Sequence, residues 1–294
     1  MPDYLKIAEG FLESGSYSKA VEFAEKITNE DSNNFKGLEI LGIAYFRLNK
    51  ISSSIEFLKK SIQANSRNAN AYYNLGLAFI TLKDFENGLL NTNEALKLDK
   101  SNCDYLYQLA LIYKRTNRIN ESIEVCTKIL DAFPTDQSTL LLRSGIYLNQ
   151  KEYKLAIEDY KKIRLKEKNK STIYNNIGFC YSKSGDLGRA KTYLQLALET
   201  EPGMAYANNN LGFVYFQERN YSKALHYINE SLDIDASNSY ALKNRALIFI
   251  SLNKYDEAIE DLKLALELGY SSIYDSEAEE LLNKLSQNGS LQSN

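Results

Sequence analysis

The sequence repeats with a period of 34 residues. Divided from residue 1, the 294-residue chain gives eight blocks of this length, without insertion or deletion, that end at residue 272. The eighth and twentieth positions of every block hold only Ala, Gly or Ser. The eleventh position is always aromatic: Phe11, Tyr45, Phe79, Tyr113, Tyr147, Tyr181, Tyr215 and Phe249. Each block must therefore form the same structural unit, and this constraint outweighs anything that composition alone implies.

The spacing within a block predicts two helices. Positions 4, 7, 8 and 11 lie one helical turn apart and form one stripe, and positions 17, 20, 24 and 27 form a second. Short polar breaks such as Lys83-Asp84 favour a turn between them. Small side chains at positions 8 and 20 allow the two helices to approach closely. Because one such pair cannot bury its apolar side alone, each pair must stack on the next, which predicts an all-α solenoid.

This pattern resembles the tetratricopeptide repeat (TPR) family across residues 1–272. The resemblance implies a right-handed α-solenoid superhelix of helix-turn-helix repeats. The family proline near position 32 is present only as Pro134 and Pro202. A capping-box pattern at Ser276 and Glu279 predicts a final amphipathic helix. The predicted domains are repeats 1–34, 35–68, 69–102, 103–136, 137–170, 171–204, 205–238 and 239–272, a capping helix 273–285 and a disordered tail 286–294.

In this family the first helix of each pair lines a concave groove, and position 6 is one of its contact positions. Here position 6 is asparagine in four blocks, and an amide offers the donor and the acceptor that a peptide backbone requires. We therefore expect an extended partner segment to bind there, although these amides would serve equally well to bond the neighbouring helix or water. The predicted peptide-binding residues are Tyr73, Asn74, Tyr107, Gln108, Asn175, Asn176, Phe179, Asn209, Asn210, Phe213, Phe216, Lys243 and Asn244.

The sequence offers no catalytic, metal or cofactor site. His226 is the only histidine, so no catalytic dyad with a second histidine and no multi-histidine metal site can form. Glycine-rich nucleotide-binding motifs are missing. The family's dicarboxylate clamp, which grips acidic chaperone tails, requires an asparagine at position 9 that no block supplies. We accordingly predict no enzyme activity and no cofactor.

Charge and cysteine content indicate the class of partner and the cellular compartment. The net charge of −3 predicts neither nucleic-acid nor membrane binding. Three cysteines without a C-x-x-C pair favour reduced thiols, and the first residues do not form a signal-peptide pattern, so the expected compartment is the cytoplasm.

The predicted function is a non-catalytic protein-protein interaction scaffold or adaptor that binds an extended peptide segment of a partner in its concave groove. The alternative is a structural or self-associating assembly component that uses its convex or end surfaces, and the oligomeric state stays open. An RNA-binding factor or an enzyme ranks below both. The RNA alternative depends on one basic run near the end of the fifth block: Lys161, Lys162, Arg164, Lys166, Lys168 and Lys170.

Overall fold

A computed structural model describes residues 3–292, with side chains to residue 287. These residues form eighteen helices and no strand. The helices are α1 Tyr4–Glu13, α2 Tyr17–Glu30, α3 Phe35–Arg47, α4 Ile51–Ala64, α5 Ala69–Thr81, α6 Phe85–Leu98, α7 Cys103–Arg115, α8 Ile119–Ala132, α9 Gln137–Asn149, α10 Tyr153–Lys162, α11 Glu167–Lys183, α12 Leu187–Thr200, α13 Ala205–Gln217, α14 Tyr221–Ile234, α15 Ser239–Ser251, α16 Tyr255–Glu267, α17 Tyr270–Ile273 and α18 Glu277–Gln292.

The helices form two compact units, which divide within α9 between Ile146 and Tyr147. In the N-terminal unit α1 packs on α2, α3 on α4, α5 on α6 and α7 on α8; in the C-terminal unit α11 packs on α12, α13 on α14 and α15 on α16. Consecutive pairs also contact each other within each unit, for example α4 with α5 and α14 with α15. Each unit is thus an all-α helical-repeat solenoid, as the period predicted.

Side-chain caps determine where many of the first helices begin. Asn34, Asn68 and Asn238 precede α3, α5 and α15, and each side-chain oxygen accepts a hydrogen bond from the backbone N–H three residues later. Such a cap satisfies a donor that the helix itself leaves unpaired. Helices α3, α5, α7, α9, α13 and α15 begin at the first residue of a predicted block.

The boundary between the fifth and sixth blocks differs from the prediction. Helix α10 ends at Lys162 and α11 begins at Glu167, before the predicted start of the sixth repeat at residue 171. The backbone N–H of Lys166 donates to Asn169 Oδ1 at 2.7 Å, which fixes the earlier start. No proline stands here to prevent the helix from extending toward its N-terminus.

The small residues lie where the helices of a pair approach each other. A Cβ atom built on Gly76 would lie 3.3 Å from the carbonyl oxygen of Gly88, so these two glycines face each other. In the C-terminal unit a Cβ on Gly212 would lie 2.5 Å from Ile228 Cγ1 and 3.0 Å from the carbonyl oxygen of Ala224. The predicted close approach of positions 8 and 20 is therefore confirmed at these pairs.

The recurring ring at position 11 stacks on a second ring of the same pair. In four pairs position 11 stacks on position 23, with ring centroids 5.4–5.6 Å apart: Phe11 on Phe23, Tyr45 on Phe57, Tyr181 on Tyr193 and Tyr215 on Tyr227. Such stacks add attraction between rings to the burial of their area. They join the C-terminal end of the first helix to the middle of the second helix.

The turn inside each pair has one left-handed residue at position 15. Glycine occupies this position as Gly15 and Gly185. Elsewhere a residue with a side chain adopts a φ of 59–62°: Asn49, Lys83, Asn117, Lys151, Arg219 and Asn253. The polar breaks predicted from the sequence are thus tight turns, several of which place a side chain in a conformation that glycine adopts more easily.

The C-terminal end differs from the predicted capping helix 273–285 and disordered tail 286–294. A short helix, α17, precedes α18, which begins at Glu277 and continues through residues 286–292. No proline interrupts this stretch, and Ser286 Oγ donates to the carbonyl oxygen of Leu282 within the helix. Ser276 Oγ pairs with Glu280 Oε1 at 2.7 Å rather than taking part in a box with Glu279. Residues 293 and 294 of the predicted tail lie outside the described residues.

Candidate peptide-binding face

The predicted binding residues lie on the first helices of five pairs. Helices α5 and α7 supply them in the N-terminal unit, and α11, α13 and α15 supply them in the C-terminal unit. We call these two surfaces the N-terminal and C-terminal first-helix faces.

In the C-terminal unit the asparagines bond to one another across neighbouring repeats. Asn210 Nδ2 donates to Asn175 Oδ1, and Asn244 Nδ2 donates to Asn209 Oδ1, both at 2.9 Å. Each bond joins position 5 of one repeat to position 6 of the next. Asn176 Nδ2 donates to the Tyr160 hydroxyl at 3.3 Å. These asparagine side chains therefore form hydrogen bonds to neighbouring helices, which is one of the alternatives that the sequence left open.

This arrangement corrects part of the predicted contact set. Asn209 and Asn244 are fully buried and Asn175 is nearly so, hence their amides hold repeats together instead of facing a ligand. Asn209 Nδ2 and Asn244 Oδ1 have no protein partner among the described residues. Asn210 remains partly accessible, although its amide is already bonded.

The N-terminal unit makes the same link with a different acceptor. Gln108 is 2% exposed, and its Nε2 donates to the backbone carbonyl of Tyr73 at 3.2 Å, so Gln108 is also a structural residue rather than a contact residue. Asn74 Nδ2 bonds within its own helix, to the Asn70 carbonyl at 2.8 Å. Tyr73 and Tyr107 are half-buried, and the Tyr73 ring packs against Tyr105. Burial raises the pKa of both Tyr73 and Tyr107.

Lys243 is also a structural residue rather than an exposed contact. It is 2% exposed, and its Nζ donates to Glu277 Oε2 of the last helix at 2.9 Å. Its ammonium also lies 4.8 Å from the centre of the Tyr240 ring. An ion pair with one buried partner and a ring face is expected to fix α18 on α15.

The residues that stay accessible on the C-terminal first-helix face are mostly aromatic. Phe179, Phe213 and Phe216 are half-buried, and Phe213 and Phe216 have ring centroids 5.9 Å apart. Tyr206, on α13, is 53% exposed. The face is therefore an apolar surface on helices that are joined by hydrogen bonds between asparagine side chains.

A lysine lies within this aromatic surface. The Nζ of Lys183 is 5.4 Å from the centre of the Phe179 ring and 5.0 Å from that of Phe213. It donates to the Tyr240 hydroxyl at 3.4 Å, across two repeats. The partial burial of its ammonium lowers the pKa of Lys183, and Lys151 lowers it further, while Glu277 and Asp275 act in the opposite direction. Lys183 forms no ion pair with any residue that the structure describes.

Comparison with known families identifies the fold. Profiles described as TPR repeat and tetratricopeptide repeat match residues 42–82, 69–102, 104–136, 171–203 and 215–272. Together these segments cover more than half of the chain. The chain belongs to the tetratricopeptide repeat family.

Several solved tetratricopeptide structures are similar to it. YrrB, described as a TPR protein with an unusual peptide-binding site, is 25% identical, with a TM-score of 0.57 over 64% of this chain and 97% of its own. A tetratricopeptide repeat protein from Parabacteroides merdae is 19% identical, with a TM-score of 0.65 over 86% and 98% of the two chains. The Cut9-Hcn1 hetero-tetramer of the APC/C gives 18% identity and a TM-score of 0.58, over 84% of this chain and 49% of that one. No functionally curated protein matches the chain.

Sequence reasoning missed two polar groups of this tetratricopeptide surface. Lys183 occupies position 13 of the sixth block, at the end of the first helix that carries Asn176 and Phe179, and this placement was the available signal. Glu277 lies beyond the repeats, so no periodic signal pointed to it. Among residues 3–287, no three His, Cys, Asp or Glu side chains form a group that could hold a metal ion. No described helix is long and apolar enough to cross a bilayer.

Proposed function

We propose that the protein is a non-catalytic scaffold that binds an extended segment of a protein partner on its C-terminal first-helix face. The observation that carries this proposal is the set of accessible rings on α11 and α13: Phe179, Tyr206, Phe213 and Phe216. Contacts dominated by aromatic side chains are typical of interaction hot spots. The peptide-binding site named for YrrB, a structural neighbour at 25% identity, supports the same mode.

The helices that carry the rings are hydrogen-bonded to one another, which favours binding. Hydrogen bonds between asparagine side chains join α11 to α13 and α13 to α15, and they hold these helices in register. Preorganised side chains lose little freedom when a ligand binds, so more of the contact energy appears as affinity. The buried amides therefore contribute indirectly, by positioning the helices that present the rings.

Selection from a random peptide library tests this proposal. Peptides selected by the wild-type chain are measured by fluorescence anisotropy against Tyr206→Ala and Phe216→Ala. Each substitution is expected to weaken binding by about tenfold or more, because each removes a large apolar contact. Circular dichroism checks that both variants stay folded.

Tyr255→Ala is the matched control. Tyr255 is 45% exposed and lies on α16, a second helix, so its loss should leave peptide affinity unchanged. Equal losses for Tyr206→Ala and Tyr255→Ala would contradict binding at the first-helix face. A library that yields no peptide for the wild-type chain would remove the proposed function altogether.

A further inference from the structure

A lysine ammonium and a tyrosine hydroxyl meet on the C-terminal first-helix face. Lys183 Nζ donates to the hydroxyl oxygen of Tyr240 at 3.4 Å. An ammonium carries three hydrogens, and a phenol that accepts one bond still has its own hydrogen to donate. No described residue accepts that hydrogen, and no described carboxylate pairs with Lys183. The site thus presents a cation and a phenolic donor side by side.

The surroundings make this cation unusual. Lys183 is exposed at the surface, but the rings of Phe179 and Phe213 lie beside its ammonium, and this partial desolvation lowers the pKa of Lys183. Burial raises the pKa of Tyr240, which keeps its hydroxyl protonated and able to donate. Lys183 is itself exposed, and no described carboxylate lies in contact with its ammonium, so an arriving anion can reach it.

We propose that Lys183 and Tyr240 form a carboxylate-binding subsite that selects an Asp or Glu side chain in the bound segment. This inference rests on the proposed function. A carboxylate has two oxygens, which can accept from the ammonium and the phenol together through short, charge-assisted bonds. It would leave the existing Lys243–Glu277 pair in place.

The position of the subsite favours an internal side chain over a chain terminus. Accessible rings continue away from Lys183 on α13, at Phe216 and the exposed Tyr206, and Tyr274 beside Tyr240 is 44% exposed. A segment whose carboxylate reaches Lys183 would therefore still find apolar surface for its neighbouring residues. The preferred motif is an acidic residue flanked by apolar or aromatic ones.

The neighbouring charges set the limits of this preference. Glu277 and Asp275 already place negative charge near Lys183, while Lys151 adds positive charge. Glu277 is engaged by Lys243. Selectivity should therefore be for one carboxylate, and a run of acidic residues should gain little more.

Paired peptides provide the test. A library-selected peptide with an acidic residue is compared with its Glu→Gln or Asp→Asn counterpart, each with an amidated C-terminus. For wild-type protein the acidic peptide should bind about tenfold more tightly. Lys183→Met, which keeps an apolar stem, should reduce this ratio to about one. Tyr240→Phe should reduce it partway.

Lys263→Met is the control, because Lys263 is an exposed lysine on α16. It should leave the ratio unchanged; a reduced ratio there would indicate a general charge effect and overturn the subsite. A wild-type chain that binds its selected peptides without distinguishing Glu from Gln would overturn the subsite while leaving peptide binding intact. A preference that appears only with a non-amidated C-terminus would show a terminal carboxylate and contradict the proposal.

Discussion

The two units join successive repeats through the same pair of positions with different groups. In the C-terminal unit both positions are asparagine, and side-chain amides bond to each other between α11 and α13 and between α13 and α15. In the N-terminal unit position 5 is Tyr73, so Gln108 takes the backbone carbonyl as its acceptor. These three links join the same two positions, and the residue at position 5 decides which acceptor is used.

The two first-helix faces differ accordingly. The N-terminal face carries half-buried Tyr73 and Tyr107. Nearby Glu39 is buried, forms an ion pair with Lys36 and accepts hydrogen bonds from Asn68 and Asn70. The C-terminal face carries phenylalanines around Lys183, which forms no ion pair with a described residue. An already paired charge offers little to a ligand, whereas an unpaired one favours an anion. This difference is why we place the carboxylate-binding subsite on the C-terminal face.

The largest expected effect concerns a charge pair found in the C-terminal unit. Arg245 forms two bonds to Asp261, at 2.8 and 2.7 Å, and one to Asn229 at 3.0 Å. Arg245→Met should lower the free energy of unfolding by about 3 kcal/mol, because it leaves the buried Asp261 carboxylate without its partner. Urea denaturation followed by circular dichroism measures the change.

Arg67 in the N-terminal unit is exposed and serves as the control. Arg67→Met should change the free energy of unfolding by at most about 0.5 kcal/mol, as is usual for surface substitutions.

A pair of glycine substitutions compares helix packing in the two units. Gly212→Ala would place its Cβ 2.5 Å from Ile228 Cγ1 and 3.0 Å from a backbone oxygen. Such overpacking should lower the free energy of unfolding by about 2 kcal/mol.

In Gly76→Ala the nearest atom to the new Cβ would be Thr92 Oγ1, at 3.1 Å. Here the gain in helix propensity, about 1 kcal/mol, should offset most of the strain. Amide hydrogen exchange of α13 and α5 reports each change locally. Similar losses at both sites would show that the pairs pack equally tightly.

A third comparison tests the amide links themselves. The buried Asn209 oxygen accepts its bond from Asn244. Asn244→Ala leaves that oxygen without a donor and should destabilise α15 by about 1.5 kcal/mol. Asn74→Ala removes a half-buried amide that bonds only within its own helix. Its cost should be at most about 0.5 kcal/mol, because no partner on another helix is left unpaired. Hydrogen exchange in α15 and α5 distinguishes the two. If Asn74→Ala costs as much as Asn244→Ala, the link between repeats is not the source of stability.

The sequence predicted the helix pairs and their phase because ring and small-residue positions follow from packing, which repeats with the chain. It placed Asn210 and Asn244 on the correct helices but could not assign their partners, since an amide serves a neighbour or a ligand equally well. A spacing of 35 residues, from position 5 to position 6 of the next block, was the available signal. The partner of Lys243, Glu277, lies outside the repeats, where periodicity gives no information. The early start of α11 depended on one side-chain bond at Asn169.

The smallest expected effects concern the turns, where the two units use the same conformation with different residues. In the N-terminal unit Lys83 has a φ of 62°, and in the C-terminal unit Arg219 has a φ of 60° and Gly185 a φ of 82°. Lys83→Gly and Arg219→Gly should each stabilise the fold by about 0.5 kcal/mol, since glycine adopts this region without steric strain. Gly185→Ala should destabilise the fold by about 1 kcal/mol. Nothing lies within 4 Å of a Cβ at Gly185, so strain in the backbone alone would be measured. Thermal denaturation of the three variants checks the signs. If Gly185→Ala stabilises the fold, the lower entropy of the unfolded chain outweighs the strain of the left-handed conformation. Lys83→Gly and Arg219→Gly should then destabilise the fold.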